Sequence, residues 1–450
     1  MGVRDTAAPA PELSDRGQLM RAVIASTIGT TIEWYDFFLY STASGLVFAR
    51  LFFPESDPLT GTLNAFAIYF VGFLARPVGA AIFGHYGDRI GRKAALIATL
   101  ILMGIGTFLV AFVPGYNQVG IWGAVILSVL RFIQGVGVGG EWGGSVLMSM
   151  EWSAQGRRGF IASWPQFGVP AGLLLANLAV LFFSLVSGDN FLVWGWRIPF
   201  ALSLILVFLG LYIRLGIFET PTFQRMVAMR RVAQRPVLQV IRQYPKEIIL
   251  SALARMSEQA PFYIFTTFIF AYGTTALGFS RDFLLEPVLI AAALGFIIIP
   301  LSGHASDLYG RRRVYIFGAI LMGIWGFVYF GLLDSRIAAL VFLAIALSLV
   351  AHNIQYGPQA AFIAEAFPAP LRYSGSSLGY QLASVVAGGP APLIATALFA
   401  ATRSGVSVAL YIAFCAVVTI IASIFMPERS HVDLSTELDE PAASTAPVTA

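Results

Sequence analysis

Along most of this chain apolar positions follow one another without the regular polar interruption of a solvent-facing helix or strand. Such stretches recur at roughly 22–48, 62–84, 94–113, 119–147, 158–184, 197–216, 247–273, 284–302, 314–333, 337–361, 374–400 and 405–426. Each is long enough for a helix to cross a hydrocarbon layer of about 30 Å. Turn-forming segments such as Pro114-Gly115-Tyr116-Asn117 and Ser187-Gly188-Asp189-Asn190 separate them. The pattern predicts an all-α polytopic membrane protein with twelve transmembrane helices. Residues 1–20 are polar and lack the apolar core of a cleavable signal.

Composition agrees. Of 450 residues 57% are hydrophobic and 12% charged, about half the ~25% charged share of a soluble protein. That excludes a secreted enzyme, a disordered scaffold and a nucleic-acid-binding domain. A net charge of +4 is too small to indicate a polyanion partner. The single cysteine, Cys415, lies in an apolar run, so neither an intrachain disulfide nor a cysteine-rich metal site is expected.

Where the cations fall is more informative. With the N-terminus cytoplasmic, twenty Lys and Arg occupy inside segments, five occupy outside segments, and Arg76, Arg131 and Arg255 lie within spans. The positive-inside rule therefore predicts a multi-pass protein of the plasma (inner) membrane with both termini cytoplasmic. The longest polar stretch divides the spans six and six. The expected organisation is a cytoplasmic tail over 1–20, one bundle over 21–216, a solvated linker over 217–246 with short helices on anionic lipid, a second bundle over 247–426, and a disordered tail over 427–450.

The halves repeat. Gly84-His85-Tyr86-Gly87-Asp88-Arg89-Ile90-Gly91-Arg92-Lys93 follows the second span, and Gly303-His304-Ala305-Ser306-Asp307-Leu308-Tyr309-Gly310-Arg311-Arg312-Arg313 follows the eighth. Asp88, Gly91 and Arg92 align with Asp307, Gly310 and Arg311 at an offset of 219. After the fourth and tenth spans, Glu151 and Arg158 align with Glu365 and Arg372 at an offset of 214. Duplication of this kind typifies secondary transporters. An Asp at a helix end can pair with Arg or bind a neighbouring helix N-terminus, so these loops are expected to clamp the two halves together. The competing reading is a solvated basic turn.

The doubled loop resembles the signature of the major facilitator superfamily. Glu33-Trp34-Tyr35-Asp36-Phe37, Phe73-Leu74-Ala75-Arg76-Pro77, Arg131-Phe132-Ile133-Gln134-Gly135, Gly139-Gly140-Glu141-Trp142-Gly143-Gly144 and Trp194-Gly195-Trp196-Arg197-Ile198-Pro199-Phe200 narrow the resemblance to its metabolite:proton symporter branch. That branch includes permeases for shikimate, α-ketoglutarate, citrate and proline/betaine. The resemblance covers about 21–426. It implies the major facilitator fold, two pseudo-symmetric six-helix bundles rocking about a central cavity. It also implies a small-molecule substrate, a lipid bilayer as surroundings, a proton as the coupling ion without other cofactor, and a functional monomer. Ser306 and Leu308 depart from the first copy of the loop, where Gly87 and Arg89 stand, and suggest a weaker second clamp.

Ionisable groups inside spans cost about 2.5–3.5 kcal/mol each on the insertion scale and are functional candidates by default. Glu33, Asp36 and Tyr40 share a face of the first span near the midplane. Two carboxylates so close do not both ionise readily, which suits a proton carrier; the competing reading is a permanently paired structural couple. Arg131, with Gln134 one turn on, and Arg76 lie at similar depth. One of them is the expected counter-charge to Asp36, leaving the other to attract an anion; for Arg76 a helix-to-helix salt bridge competes. Arg255, the counterpart of Asp36 at the 219 offset, is expected to contact a carboxylate substrate or to be internally paired. His352, Asn353 and Gln355 form a polar cluster in the tenth span. Trp164, Gln166, Gln259, Tyr263 and Gln381 complete the candidate cavity lining. Gly135-Val136-Gly137-Val138-Gly139-Gly140 has the form G-x-G-x-x-G, but within a span it reads as a helix-packing surface. The expected function is proton-coupled symport of a small carboxylate or zwitterion, with a proton-antiport exporter as the alternative. A membrane-embedded enzyme is the remote third reading, since no catalytic or metal motif accompanies the repeat.

Overall fold

The structure, a computed structural model, describes residues 16–56, 58–154 and 156–432. The expectations for residues 1–15 and 433–450 fall outside it. The described residues form twelve long helical rods. Six run over 16–52, Pro58–Arg89, Arg92–Val110, Trp122–Met150, 158–187 and Arg197–Leu215. Six more run over 245–275, Arg281–Tyr309, Arg311–Asp334, Ala338–Ala364, Ala369–Thr402 and Gly405–Phe425. Ten are long and apolar enough to cross a membrane. The first and seventh are not among those ten, and they are the two that carry Glu33 with Asp36 and Arg255 with Glu258. Large apolar side chains such as Phe182, Leu185, Phe208 and Phe414 point outward, the surface a lipid-facing rod requires.

Each set of six packs into a bundle. The bundles meet along matched pairs, the second rod against the eleventh and the fifth against the eighth. Within the first bundle, the second and fourth rods touch backbone to backbone. A Cβ on Gly79 would stand 1.9 Å from the Val136 carbonyl oxygen, and one on Gly139 would stand 2.1 Å from that of Arg76. The glycine run therefore works as a packing face. In the first and seventh rods the α-helix widens into π turns at Ser44–Phe48 and Ile264–Phe268, 220 residues apart.

Two expectations for the polar segments need correction. The linker is not wholly solvated: it forms helices Pro221–Ala228 and Pro236–Gln243, which bury Phe223, Met226 and Val240 against protein while Val227, Leu238 and Ile241 stay exposed. Phe223 and Met226 pack with Ala369, while Val240 joins a core that includes Phe367 and Tyr373. The start of the expected disordered tail is also built in. Glu428 accepts the Arg311 and Arg312 amides at 3.3 and 2.8 Å, and the carbonyls of Ser430 and Val432 accept from Arg158 at 3.0 and 2.7 Å. Glu219 mirrors Glu428 by accepting the Lys93 amide at 3.1 Å. Its desolvation raises the Glu219 carboxyl above the ordinary range, while the Thr220 amide, Arg92 and the Lys93 amide pull it back down.

Because Gly139 meets main chain, its substitution cannot be absorbed by a rotamer change. Gly139→Leu is expected to cost about 1–3 kcal/mol or more, lowering the unfolding midpoint in detergent by several degrees. An unchanged midpoint would show that the two rods can separate freely.

Candidate functional site

On the arginine-rich face, where the second and eighth rods end, the bundles exchange helix caps. The Asp88 carboxylate accepts the amides of Tyr373 and Ser374 at 3.2 and 2.8 Å, at the start of the eleventh rod. The Asp307 carboxylate accepts those of Gly159 and Phe160, both at 2.8 Å, at the start of the fifth. Each aspartate thus caps a helix of the opposite bundle, where free N–H groups and the helix dipole favour an anion. Arginines secure both. Arg92 pairs with Asp88 and Glu151 at 3.5 and 3.4 Å and donates to the Ala369 carbonyl, while Arg372 lies 3.9 Å from Glu151. Arg311 pairs with Asp307 and Glu365 at 2.6 and 3.4 Å, and Arg158 with Glu365 at 3.4 Å.

The glycines make room for this contact. A Cβ on Gly84 would meet Ser374 Cα at 2.8 Å, and Gly91 and Gly310 turn the chain at φ of 133° and 94°, values that strain other residues. The expected weakness of the second clamp does not hold. Arg89 and Leu308 are both exposed, so that position belongs to neither lock. Ser306 adds a contact, accepting from Arg311 at 2.9 Å.

Deeper in, Trp142 of the first bundle stacks on Tyr380 of the second, with ring centroids 3.6 Å apart. The Trp142 ring N–H donates to Gln166 at 2.9 Å, and Gln166 donates to the Tyr356 carbonyl at 3.2 Å. Gln381 donates across the interface to the Val138 carbonyl at 3.3 Å. The second bundle ties its own charges together. Arg255 lies over the Tyr380 ring, donates to the Tyr380 carbonyl and to Gln359, and pairs with Glu258 at 3.1 Å. Glu258 also meets His352 Nε2 at 3.2 Å and accepts from Gln359 at 3.1 Å. His352 Nδ1 faces Asn353 Oδ1 at 3.0 Å, and Gln355 accepts from Ser257 at 2.5 Å. Trp164 is half-buried against Phe160 and Phe167.

The first bundle leaves two of its buried cations without a carboxylate partner among the described residues. Arg76 lies over Phe37 and Phe73 at 4.8 and 4.6 Å, and Arg131 over Tyr40, Tyr69 and Phe37 at 4.4, 4.9 and 5.3 Å. Both arginines are buried, and among the described residues neither has a carboxylate within 4.0 Å. The salt bridge weighed for Arg76 is therefore absent, and Arg131 reaches Asp36 indirectly. Arg131 donates to Gln134 Oε1 at 3.5 Å, Gln134 to Thr107 Oγ1 at 2.6 Å, and Thr107 to Asp36 Oδ2 at 2.7 Å. Glu33 Oε2, Asp36 Oδ1, the Tyr40 and Tyr263 hydroxyls, Gln259 Oε1 and Asn353 Nδ2 are buried without a hydrogen-bond partner. Aromatic contacts between the bundles close this centre, Phe73 to Tyr263 at 5.5 Å and Trp34 to Phe262 at 6.1 Å. Among the described residues, these rings of the two bundles meet across the place expected for the central cavity. A cleft of about 10 Å³ remains beside His352 and Asn353, roughly the space of one water.

Sequence reasoning missed the pair Glu141–Arg214. Arg214, one of the twenty cations assigned to the inside segments, is buried and bonded to Glu141 and the Leu96 carbonyl, with Thr99 and Ser145 donating to Glu141 at 2.8 and 2.9 Å. Glu141 sits within a span, so the rule that singled out Glu33 could have found it. Thr107 carried no such signal.

Two bundles locked at one face around a polar centre are the architecture of a membrane transporter of small molecules. Comparison with known proteins fixes the family. The sequence model of the family described as "Sugar (and other) transporter" matches residues 21–258 and 249–437, and the chain belongs to that family, within the major facilitator superfamily. It is 41% identical to the shikimate transporter of Escherichia coli K12, over 84% of this chain and 87% of that one. It is 37% identical to the inner membrane metabolite transport protein YhjE of the same strain, over 92% and 95%. The E. coli K12 proline/betaine transporter is 32% identical over 93% and 85%. The solved proton:xylose symporter XylE, bound to 6-bromo-6-deoxy-D-glucose, shares the fold with a TM-score of 0.77 at 18% identity, covering 94% of this chain and 99% of that one.

Removing one lock should loosen the closed face in a measurable way. Asp88→Asn should speed hydrogen exchange at Tyr373 and Ser374 about fivefold and slow transport, from the loss of a cap worth about 1 kcal/mol. Asp307→Asn should act as strongly on Gly159 and Phe160. Unchanged exchange at both sites would remove the aspartates from the lock.

Proposed function

We propose that this chain is a proton-coupled symporter for a small carboxylate or carboxylate-bearing zwitterion. It works by alternating access as a monomer in the inner membrane, with the arginine-rich face and both termini cytoplasmic. The observation that carries this reading is the pair of buried guanidiniums, Arg76 and Arg131, which share the Phe37 ring and lack a carboxylate partner among the described residues. A desolvated cation is costly until an anion meets it, and a planar guanidinium suits a carboxylate in particular. The open polar atoms of Tyr40, Gln259, Tyr263 and Asn353 come from both bundles and suit the hydroxyl or amine groups of such a substrate.

Asp36 is the proton carrier in this reading. While ionised, it balances Arg131 through Thr107 and Gln134. Once protonated, it leaves the cation to the substrate. Glu33 lies one turn away and is the reserve candidate. The Arg255–Glu258–His352 set, already paired, forms the wall of the opposite bundle. One proton crossing about 150 mV releases about 3–4 kcal/mol, enough for roughly 300-fold accumulation of a neutral substrate. A monoanion entering with one proton moves no net charge and draws on the pH gradient. The kinship with shikimate and proline/betaine transporters supports the substrate class.

The test is uptake into proteoliposomes of labelled shikimate, α-ketoglutarate, citrate, proline and glycine betaine, with and without an imposed pH gradient. At least one should accumulate only when the outside is acidic, and a protonophore should abolish the effect. Uptake indifferent to both pH gradient and potential would overturn symport. In Asp36→Asn, substrate exchange across equilibrated vesicles should survive while pH-driven accumulation vanishes. Equal loss of both would move the proton to Glu33 or to the His352 pair.

A further inference from the structure

The hydroxyl of Thr107 has one hydrogen and two lone pairs, and three groups stand within bonding distance of it. They are Asp36 Oδ2 at 2.7 Å, Gln134 Nε2 at 2.6 Å, and the Met103 carbonyl oxygen, one turn back in its own helix, at 3.1 Å. All these side chains are buried. The direction of the chain is forced at one end. Arg131 can only donate, so the group that Gln134 turns toward it must be the amide oxygen. The amide nitrogen then faces Thr107 and takes one of its lone pairs. One hydrogen and one lone pair remain to Thr107, and the hydrogen has two possible acceptors.

We propose that Thr107 is the positioning residue that reads the protonation state of Asp36 and relays it to Arg131. This rests on Asp36 being the proton carrier. When Asp36 is ionised, Thr107 donates to Oδ2. When a proton arrives on Oδ2, the carboxyl O–H donates to the free lone pair of Thr107, and the threonine hydrogen turns to the Met103 carbonyl. No bond is lost in either state, and no other proton changes owner. A single rotation about the Cβ–Oγ1 bond therefore lets a dehydrated carboxyl exist in both forms. Only the link between Thr107 and Asp36 reverses, while Gln134 keeps hold of Arg131. With Asp36 neutral, that chain no longer ends in an anion, and Arg131 is left as a bare cation facing the aromatic cage. Proton binding then precedes and favours anion binding.

Other charged groups around Asp36 do not offer the same switch. Glu33 and Tyr35 share its rod. Arg76 of the second rod stands over the Phe37 and Phe73 rings, and Arg214 of the sixth is bonded to Glu141. The fifth rod carries no ionisable residue between 168 and 187. Thr107 is the hydroxyl that bonds Asp36 among the described residues.

The experiment is an infrared pH titration of the full chain in lipid vesicles, following the protonated carboxyl band of Asp36 as assigned by its loss in Asp36→Asn. Thr107→Val keeps the shape and removes the hydroxyl. The ionised form then loses a charge-assisted bond and the neutral form only an ordinary one, so the titration midpoint should rise by about one pH unit. Thr107→Ser should restore the wild-type midpoint. Thr107→Ala supplies the same measurement if the valine variant does not fold. A valine midpoint equal to wild type would overturn the switch, as would a serine midpoint displaced as far as that of valine. A wild type whose Asp36 band does not titrate would refute Asp36 as proton carrier, and the relay with it, which is a different result from a titrating wild type with an indifferent valine variant.

Discussion

Charge inside a hydrocarbon layer is costly unless opposite charge or the end of a helix meets it, and this cost arranges the molecule. At the arginine-rich face it is satisfied between bundles. Asp88 and Asp307 find their donors at helix starts in the opposite half, and arginines with Glu151 and Glu365 surround them. Deeper in, Glu141 with Arg214 and Glu258 with Arg255 are satisfied within one bundle. The first kind of pairing must break when the halves part, and the second kind need not. The location of each partner thus separates groups that hold a state from groups that hold a bundle.

The duplication is faithful in the locks and abandoned at the centre. Position for position, Asp36 corresponds to Arg255. The second bundle closes Arg255 into a network with Glu258, Gln359 and His352. The first bundle leaves Arg76 and Arg131 among aromatic rings and puts two neutral side chains between Arg131 and Asp36. Near-symmetric halves make a two-sided motion possible, and unlike halves give that motion something to bind.

Much of this was legible in the sequence, for a physical reason. Twelve apolar runs, two copies of a loop and lone charges in spans are local signals, each with one cheap structural solution. The cap exchange was half legible. The Asp and Arg of each loop stood out, but that the donors are main-chain amides of Tyr373, Ser374, Gly159 and Phe160 depends on which rods meet. Leu308 was misleading because its partner position, Arg89, faces outward and does not participate. Arg214 lies near a span end and counts among the inside cations, and only the fold can show that it turns inward to Glu141. The linker read as solvated because charged residues recur through it and break up its apolar positions, although Phe223, Met226 and Val240 are buried in the fold. Thr107 was invisible, since a threonine in an apolar run has no cost that demands explanation.

The π turns at Ser44–Phe48 and Ile264–Phe268 have a mechanical consequence. A π turn holds one residue more than an α turn, so the spiral on its far side is rotated and its hydrogen bonds are out of step with those below. Such a place behaves like a swivel in a rod, because the surplus residue can be passed along the helix without unravelling it. Both swivels lie just beyond the aromatic cage, on the side away from the locks. The outer portions of the first and seventh rods can therefore twist as separate levers while the inner portions, with Asp36 and Arg255, stay in register with their neighbours.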